Sequence, residues 1–167
     1  MNNLNERIKM HPFFRGLPPA HLDILTISAK ETVFEPDSVL FRETEPANQF
    51  YLIEEGTVAL EAHAPADGTV RLLTLRAGDV MGWSWLFPPF AWHFKAHVIE
   101  RTKVIALNAA HLLVTAEHDK QFGFELMKRV AQLVIRRLQA AREQMLRLAQ
   151  ARPPEVVHPS GVEPETF

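Results

Sequence analysis

The sequence predicts an α+β domain: an antiparallel β-roll of the jelly-roll type, with helices before it and one long helix after it. Three observations carry this. Apolar residues follow helical spacing over residues 4–30, alternate with polar ones over 31–108, and return to helical spacing after Asn108. The alternating region is cut at short intervals by turn-forming residues. The last stretch keeps apolar residues at spacings of three and four for more than three heptads. The expected organisation is 1–30 as a helical lead-in, 31–108 as the roll, 109–152 as a short helix and a long dimerisation helix, and 153–167 as a disordered tail.

In the lead-in, Leu17, His21, Ile24 and Leu25 share one helical face, and "GLPP" predicts a helix start. From Glu31 the period is two. Proline, Asp-Ser, Ala-Asn and Glu-Gly divide the region into six to eight strands of about five residues. "PADGTV", Pro65 to Val70, reads as a hairpin turn with Asp67-Gly68 at its centre. "RLLTL", "FKAHVI" and "KVIAL" read as three further strands. Asn108 is a helix cap for "AAHLLVTAE". The final helix runs from about Asp119 to the stop at Pro153-Pro154. Its seam is Phe124, Met127, Ala131, Val134, Leu138, Ala141, Met145 and Leu148, which predicts a parallel homodimer. Leu126, Val130 and Leu133 form a second stripe early in the helix.

Composition excludes several classes. With 18 basic and 20 acidic side chains, the chain has no overall pull toward nucleic acid or anionic membrane. Arg136, Arg137, Arg142 and Arg147 lie off the seam among acidic and amide residues, as on the solvated faces of a coiled coil. There are no cysteines, so disulfides and thiolate metal sites are excluded, and a reducing, cytoplasmic setting fits. The N-terminus lacks the apolar core of a signal peptide. The longest uncharged stretch is broken by Pro88 and Pro89 and falls short of the ~20 residues a membrane-spanning helix needs. No membrane insertion is expected.

That stretch, "GWSWLFPPFAWHF" from Gly82 to Phe94, holds all three tryptophans and three of the eleven phenylalanines. Such a cluster reads either as core filling or as the wall of a mostly apolar pocket with a few polar groups, here Ser84 and His93. Separately, His93 with His97, and Glu61 with His63, predict one-face placement on two strands, the arrangement of a cupin-like metal site. The tight His-x-His pair of that site type is absent, and no Ser-His-Asp or paired-carboxylate signature stands out.

The order of elements, with "HPFFRGLPPAHLDIL" (His11–Leu25), "FYLIEEGTVAL" (Phe50–Leu60) and "LRAGDVMG" (Leu75–Gly82), resembles the cyclic-nucleotide-binding domain of the catabolite-activator and protein-kinase-A regulatory-subunit superfamily. The resemblance covers roughly residues 10–150. It implies a phosphate-binding cassette: Gly-Glu, a short helix, then Arg-Ser/Thr-Ala at the next strand. The glutamate accepts a hydrogen bond from the ribose hydroxyl, and the arginine and the backbone N–H groups at the short helix hold the cyclic phosphate. Here Gly82 matches, but Trp83 stands at the glutamate position, Trp92 at the arginine, His93 at the Ser/Thr and Phe94 at the alanine. Two glycines usual in earlier turns are replaced, at about Asp37 and Thr44.

The resemblance therefore implies a non-enzymatic ligand-sensing or regulatory module with a degenerate cassette. Its ligand-binding residues would be Gly82, Trp83, Ser84, Trp85, Trp92 and His93, stiffened by Pro88 and Pro89. It needs no cofactor; cyclic AMP or cyclic GMP would bind only weakly, and another small ligand would take their place. Signal would pass through a hinge at residues 109–123 to the long helix and on to a protein partner. About fifteen residues follow the helix, so no helix-turn-helix domain and no direct DNA binding are expected. The alternatives are a ligand-free dimerisation module of the same fold and a cupin-like metal enzyme.

Overall fold

A computed structural model describes residues 3–66 and 68–151. The tail predicted over 153–167, the helix stop at Pro153-Pro154 and Asp67 of the predicted turn lie outside the described residues. The chain divides into two compact units, Met1–Val130 and Ala131–Phe167.

Two helices lead in, α1 (Leu4–Met10) and α2 (Pro19–Ile27). Pro18 and Pro19 start α2, where a missing N–H costs nothing because the first turn has no acceptor for it. Six strands follow: β1 (Ala29–Phe34), β2 (Val39–Phe41), β3 (Gln49–Ala64), β4 (Gly68–Arg76), β5 (Val80–Met81) and β6 (Lys95–Asn108). All pair antiparallel, in the order β1-β6-β3-β4, with β2 also on β6 and β5 also on β3. A 3-10 helix, Ser84–Leu86, bridges β5 and β6. Then come α3 (Ala109–His118) and α4 (Lys120–Ala151). The fold class is the predicted one, an antiparallel roll with leading helices and a long final helix.

The strands differ from the reading in length. β3 has 16 residues and β6 has 14, so "FKAHVI" and "KVIAL" are one strand, and Glu55-Gly56 is no break. Register shifts between Ile53 and Val58 let the β3–β6 pair bend without ending. Gly56 makes the bend possible: its φ is 96°, and a Cβ there would lie 2.4 Å from the Arg101 carbonyl oxygen. The predicted breaks at Pro36–Ser38 and Ala47-Asn48 do separate strands.

β3 is covered on both faces, which is why "FYLI" reads as an unbroken apolar run. Tyr51, Ile53, Val58 and Leu60 face the roll interior with Phe41, Met81, Trp92, Ala96 and Val104. Phe50 faces the other way, edge-on to Phe13 at 5.3 Å and to Trp85 at 5.9 Å. The Asn108 side chain accepts from the His111 N–H at 2.9 Å and caps α3 as predicted. Asp119 accepts from the Phe122 N–H at 3.0 Å and begins α4. In α4, Leu126 and Val130 are buried, whereas the seam residues Phe124, Met127, Leu138, Met145 and Leu148 are exposed.

Candidate functional site

The cassette region runs from β5 through the 3-10 helix to the start of β6. Gly82 leaves β5 with φ of 89°, and a Cβ on it would sit 2.8 Å from both the Gln49 carbonyl oxygen and the Trp92 ring. Only glycine lets Trp92 come this close. The 3-10 helix starts at Ser84, where the short helix was expected.

The three tryptophans go to three environments. Trp92 is 4% exposed and lies inside the roll, stacked on Phe41 with centroids 4.0 Å apart; Phe41 stacks on Tyr51 in turn, at 6.2 Å. Trp85 is 2% exposed and packs on Phe50. Phe50 and Tyr51 are neighbours on one strand and point to opposite faces, so Trp85 and Trp92 serve different layers. Trp83 is half-buried and stacks on the exposed His93 at 6.4 Å. The buried Ser84 hydroxyl lies 3.1 Å from His93 Nδ1. The fold thus brings Trp83, Ser84 and His93 together and joins Gly82 to Trp92, while Trp85 packs on Phe50.

Lys95 follows directly. Its Nζ lies 2.7 Å from Glu61 Oε2, and His97 Nδ1 lies 3.2 Å from Glu61 Oε1. Burial pushes the Glu61 carboxyl up, but hydrogen bonds from Lys95 and His97 outweigh it and hold the group below the ordinary glutamate value. Lys95 is therefore engaged with a carboxylate. Trp92, which the sequence resemblance puts at the arginine position, is buried in the roll and carries no charge.

The cupin-like reading loses its geometry. His93 precedes β6 and does not share a strand face with His97. Among the described residues, no three metal-ligating side chains converge.

A cleft of about 420 Å³ opens beside the buried stack, lined by Leu40, Phe41, Glu45, Asn48, Tyr51 and Trp92. Sequence reasoning missed Phe41 and Tyr51, the ring partners of Trp92. The only signals were the place of Phe41 in a short strand, β2, and of Tyr51 in the unbroken apolar run of β3. It also missed His11, which is buried, with Nε2 3.2 Å from the Ile53 carbonyl and Nδ1 accepting from the Phe13 N–H at 3.3 Å. Burial pushes His11 below the usual histidine value.

No helix among the described residues is long and apolar enough to cross a membrane.

Comparison with known proteins agrees with this architecture. A protein from Geobacter metallireducens GS-15 assigned as cyclic nucleotide-binding superposes with a TM-score of 0.73 at 28% identity, over 83% of this chain and 98% of that one. A cyclic nucleotide-binding domain from Methylobacillus flagellatus KT gives a TM-score of 0.77 at 17% identity, over 92% and 87%. The acetyltransferase Pat of Mycolicibacterium smegmatis is 39% identical over 70 residues, which is 42% of this chain but only 21% of that protein. The family model for the cyclic nucleotide-binding domain matches residues 31–119, more than half of the 167. With the roll, the bridging 3-10 helix and the paired terminal helices in place, the chain belongs to the cyclic nucleotide-binding domain family.

Proposed function

We propose that this chain is a regulatory, non-enzymatic ligand-sensing module whose nucleotide position is occupied by its own tryptophan. The observation that supports this is Trp92: 4% exposed, stacked on Phe41, and standing where the family's cassette carries its arginine. A buried indole offers a cyclic phosphate no charge. Trp83, in the glutamate position, offers the ribose no carboxylate. Each lost contact to a charged group costs roughly 1.5–3 kcal/mol, so two cost about 3–6 kcal/mol, or on the order of 10²–10⁴ in affinity. Stacking on Trp83 returns about 1–3 kcal/mol of this. Cyclic AMP and cyclic GMP bind weakly in this reading. A neutral planar ligand suits the rim of Trp83 and His93 better. The module works in the cytoplasm as a parallel homodimer through Phe124–Leu148 and passes its signal to a protein partner through α4.

Tryptophan fluorescence tests the reading, because all three tryptophans lie between Gly82 and Phe94. The expected result is no saturation by cyclic AMP or cyclic GMP below about 10 μM; submicromolar binding of either sinks it. Trp92→Arg with Trp83→Glu should raise nucleotide affinity if the position behind the ring is a latent site. A double variant that only unfolds identifies both tryptophans as core. That outcome belongs to a second reading, a ligand-free interaction module of the same fold. The continuous packing of Phe34, Tyr51, Phe41 and Trp92 through the interior favours it.

A further inference from the structure

A separate cleft, of about 320 Å³, opens on the sheet where β1, β6 and β3 lie side by side; its walls include Lys30, Thr32, Phe34, Gln49, Tyr51 and Ala106. Strand register builds it. Lys30 pairs with Ala106, and Ala106 pairs with Tyr51. Directly opposed residues share a face, so the three side chains stand in one row. The ends of the row are two strand spacings apart, roughly 10 Å at the backbone. Ala106, between them, contributes only a methyl group and leaves the floor low. Phe34 stands edge-on to Tyr51 at 6.4 Å. Two polar groups in this row are unused. Among the described residues, the exposed Lys30 forms no ion pair, and no acidic residue lines the cleft. Tyr51 is 8% exposed, and its hydroxyl makes no hydrogen bond among the described residues. That hydroxyl is within reach of solvent: the unpartnered polar atoms that are sealed off belong to His21, Ser28, Trp85 and Arg129. Burial pushes the Tyr51 phenol above its ordinary value, so it stays a donor at neutral pH. Buried polar groups in folded proteins are ordinarily paired, so this one calls for an acceptor.

We infer that this cleft binds a small monocarboxylate with a flat apolar body, its carboxylate placed between the Lys30 ammonium and the Tyr51 hydroxyl. One unpaired cation matches one negative charge. The hydroxyl supplies a directed donor, and an ionised oxygen is the stronger kind of acceptor for it. Phe34, the Tyr51 ring and the Ala106 methyl offer the body an apolar seat. The volume sits at the low end for ligand pockets, which begin at about 300 Å³, so a one-ring molecule fits better than a nucleotide. The cleft of about 420 Å³ that Tyr51 also lines has Glu45 on its wall and no cation, which disfavours an anion there. The inference does not rest on the nucleotide reading: no tryptophan lines this cleft, and all three lie between Gly82 and Phe94.

Benzoate and benzamide make the test, since the two have nearly the same shape and only the first is charged. Tyr51 is the one tyrosine of the chain, so a sample carrying ¹³C-labelled tyrosine reports on the site through a single residue. Benzoate should move the tyrosine ring signals in a saturable way and bind roughly fivefold or more tightly than benzamide, the upper end for an exposed ion pair. Lys30→Gln should bring benzoate down to the affinity of benzamide. Tyr51→Phe removes only the hydroxyl and should weaken benzoate roughly tenfold, as for a hydrogen bond to a charged group, read on the NMR signals of the ligand. Lys30 is exposed, so its variant keeps the test valid if Tyr51→Phe fails to fold. The inference is overturned if the tyrosine signals are unmoved at about 10 mM benzoate, a concentration that would fill even a millimolar site. Equal affinity for the two probes overturns it too, as does benzoate binding like the parent's in Lys30→Gln or in a folded Tyr51→Phe chain.

Discussion

Asp37 and Thr44, the turn positions where the resemblance leads one to expect glycine, both have a left-handed backbone, with φ of 67° and 72°. Their N–H groups are committed: Asp37 donates to the Val98 carbonyl and Thr44 to the Trp92 carbonyl, each at 2.9 Å. The turn geometry outlasts the loss of glycine because the bonds it makes hold the strands. A residue with a Cβ carries a cost of roughly 1–2 kcal/mol in this conformation, and β-branched threonine is among the least suited. Thr44→Gly removes that cost and adds back about 0.5–1 kcal/mol of backbone entropy. The net expectation is a gain of about 0.5–1 kcal/mol in urea unfolding, and a lower midpoint would contradict it. His11 makes a second prediction. Its neutral ring donates from Nε2 and accepts at Nδ1, so protonation would cost it the Phe13 contact. Its folded pKa is lowered by burial, so the unfolded chain takes up the proton first. Stability from this site is therefore full above the unfolded value near 6.5 and falls as pH drops below it. His11→Gln cannot titrate and should show a flatter stability profile as pH falls below about 6.5; equal slopes would remove His11 as the cause.

At the next scale, α4 carries two kinds of apolar residue. Leu126 and Val130 are buried, whereas Phe124, Leu138 and Leu148 are each 65% exposed or more. Isolated exposed leucines need no explanation, but a heptad series of them does. A parallel coiled coil of two α4 helices would cover this series. Leu138→Glu would then put two carboxylates at the centre of the seam, and burying unpaired charge costs several kcal/mol. Dimerisation should weaken by on the order of 10²-fold or more, read by light scattering against concentration. A parent chain that is already monomeric at micromolar concentration would dispose of the seam.

For the whole molecule, the division at Val130 makes a distinct prediction. The buried side chains from Ile8 to Val130 belong to the first unit. A chain ending at Arg137 keeps that unit and loses the second half of the seam. It should unfold in one cooperative transition, with parent-like tryptophan emission, and run as a monomer. Loss of the cooperative transition would show that the remainder of α4 is needed for the roll to fold.

The sequence alone was enough for the fold class and for much of the local chemistry. A change of hydrophobic period from helical to alternating and back depends on neighbours along the chain, so the order of elements, the Asn108 cap and the α4 stripe are written locally. Asp37 and Thr44 were legible as turn positions only through the family resemblance. The strand lengths were not, because Glu55-Gly56 can end a strand or bend one, and only pairing with β6 made it a bend. Nor was the fate of the tryptophans. Trp83, Trp85 and Trp92 are alike in sequence, within one uncharged run, and β3 is apolar on both faces, so no alternation says which layer receives which ring. The tertiary structure decided it: Phe41 and Tyr51 take Trp92, Phe50 takes Trp85, and His93 takes Trp83. Those partners come from β2, β3 and the approach to β6, and long-range packing, unlike period or capping, leaves no mark in a single stretch of chain.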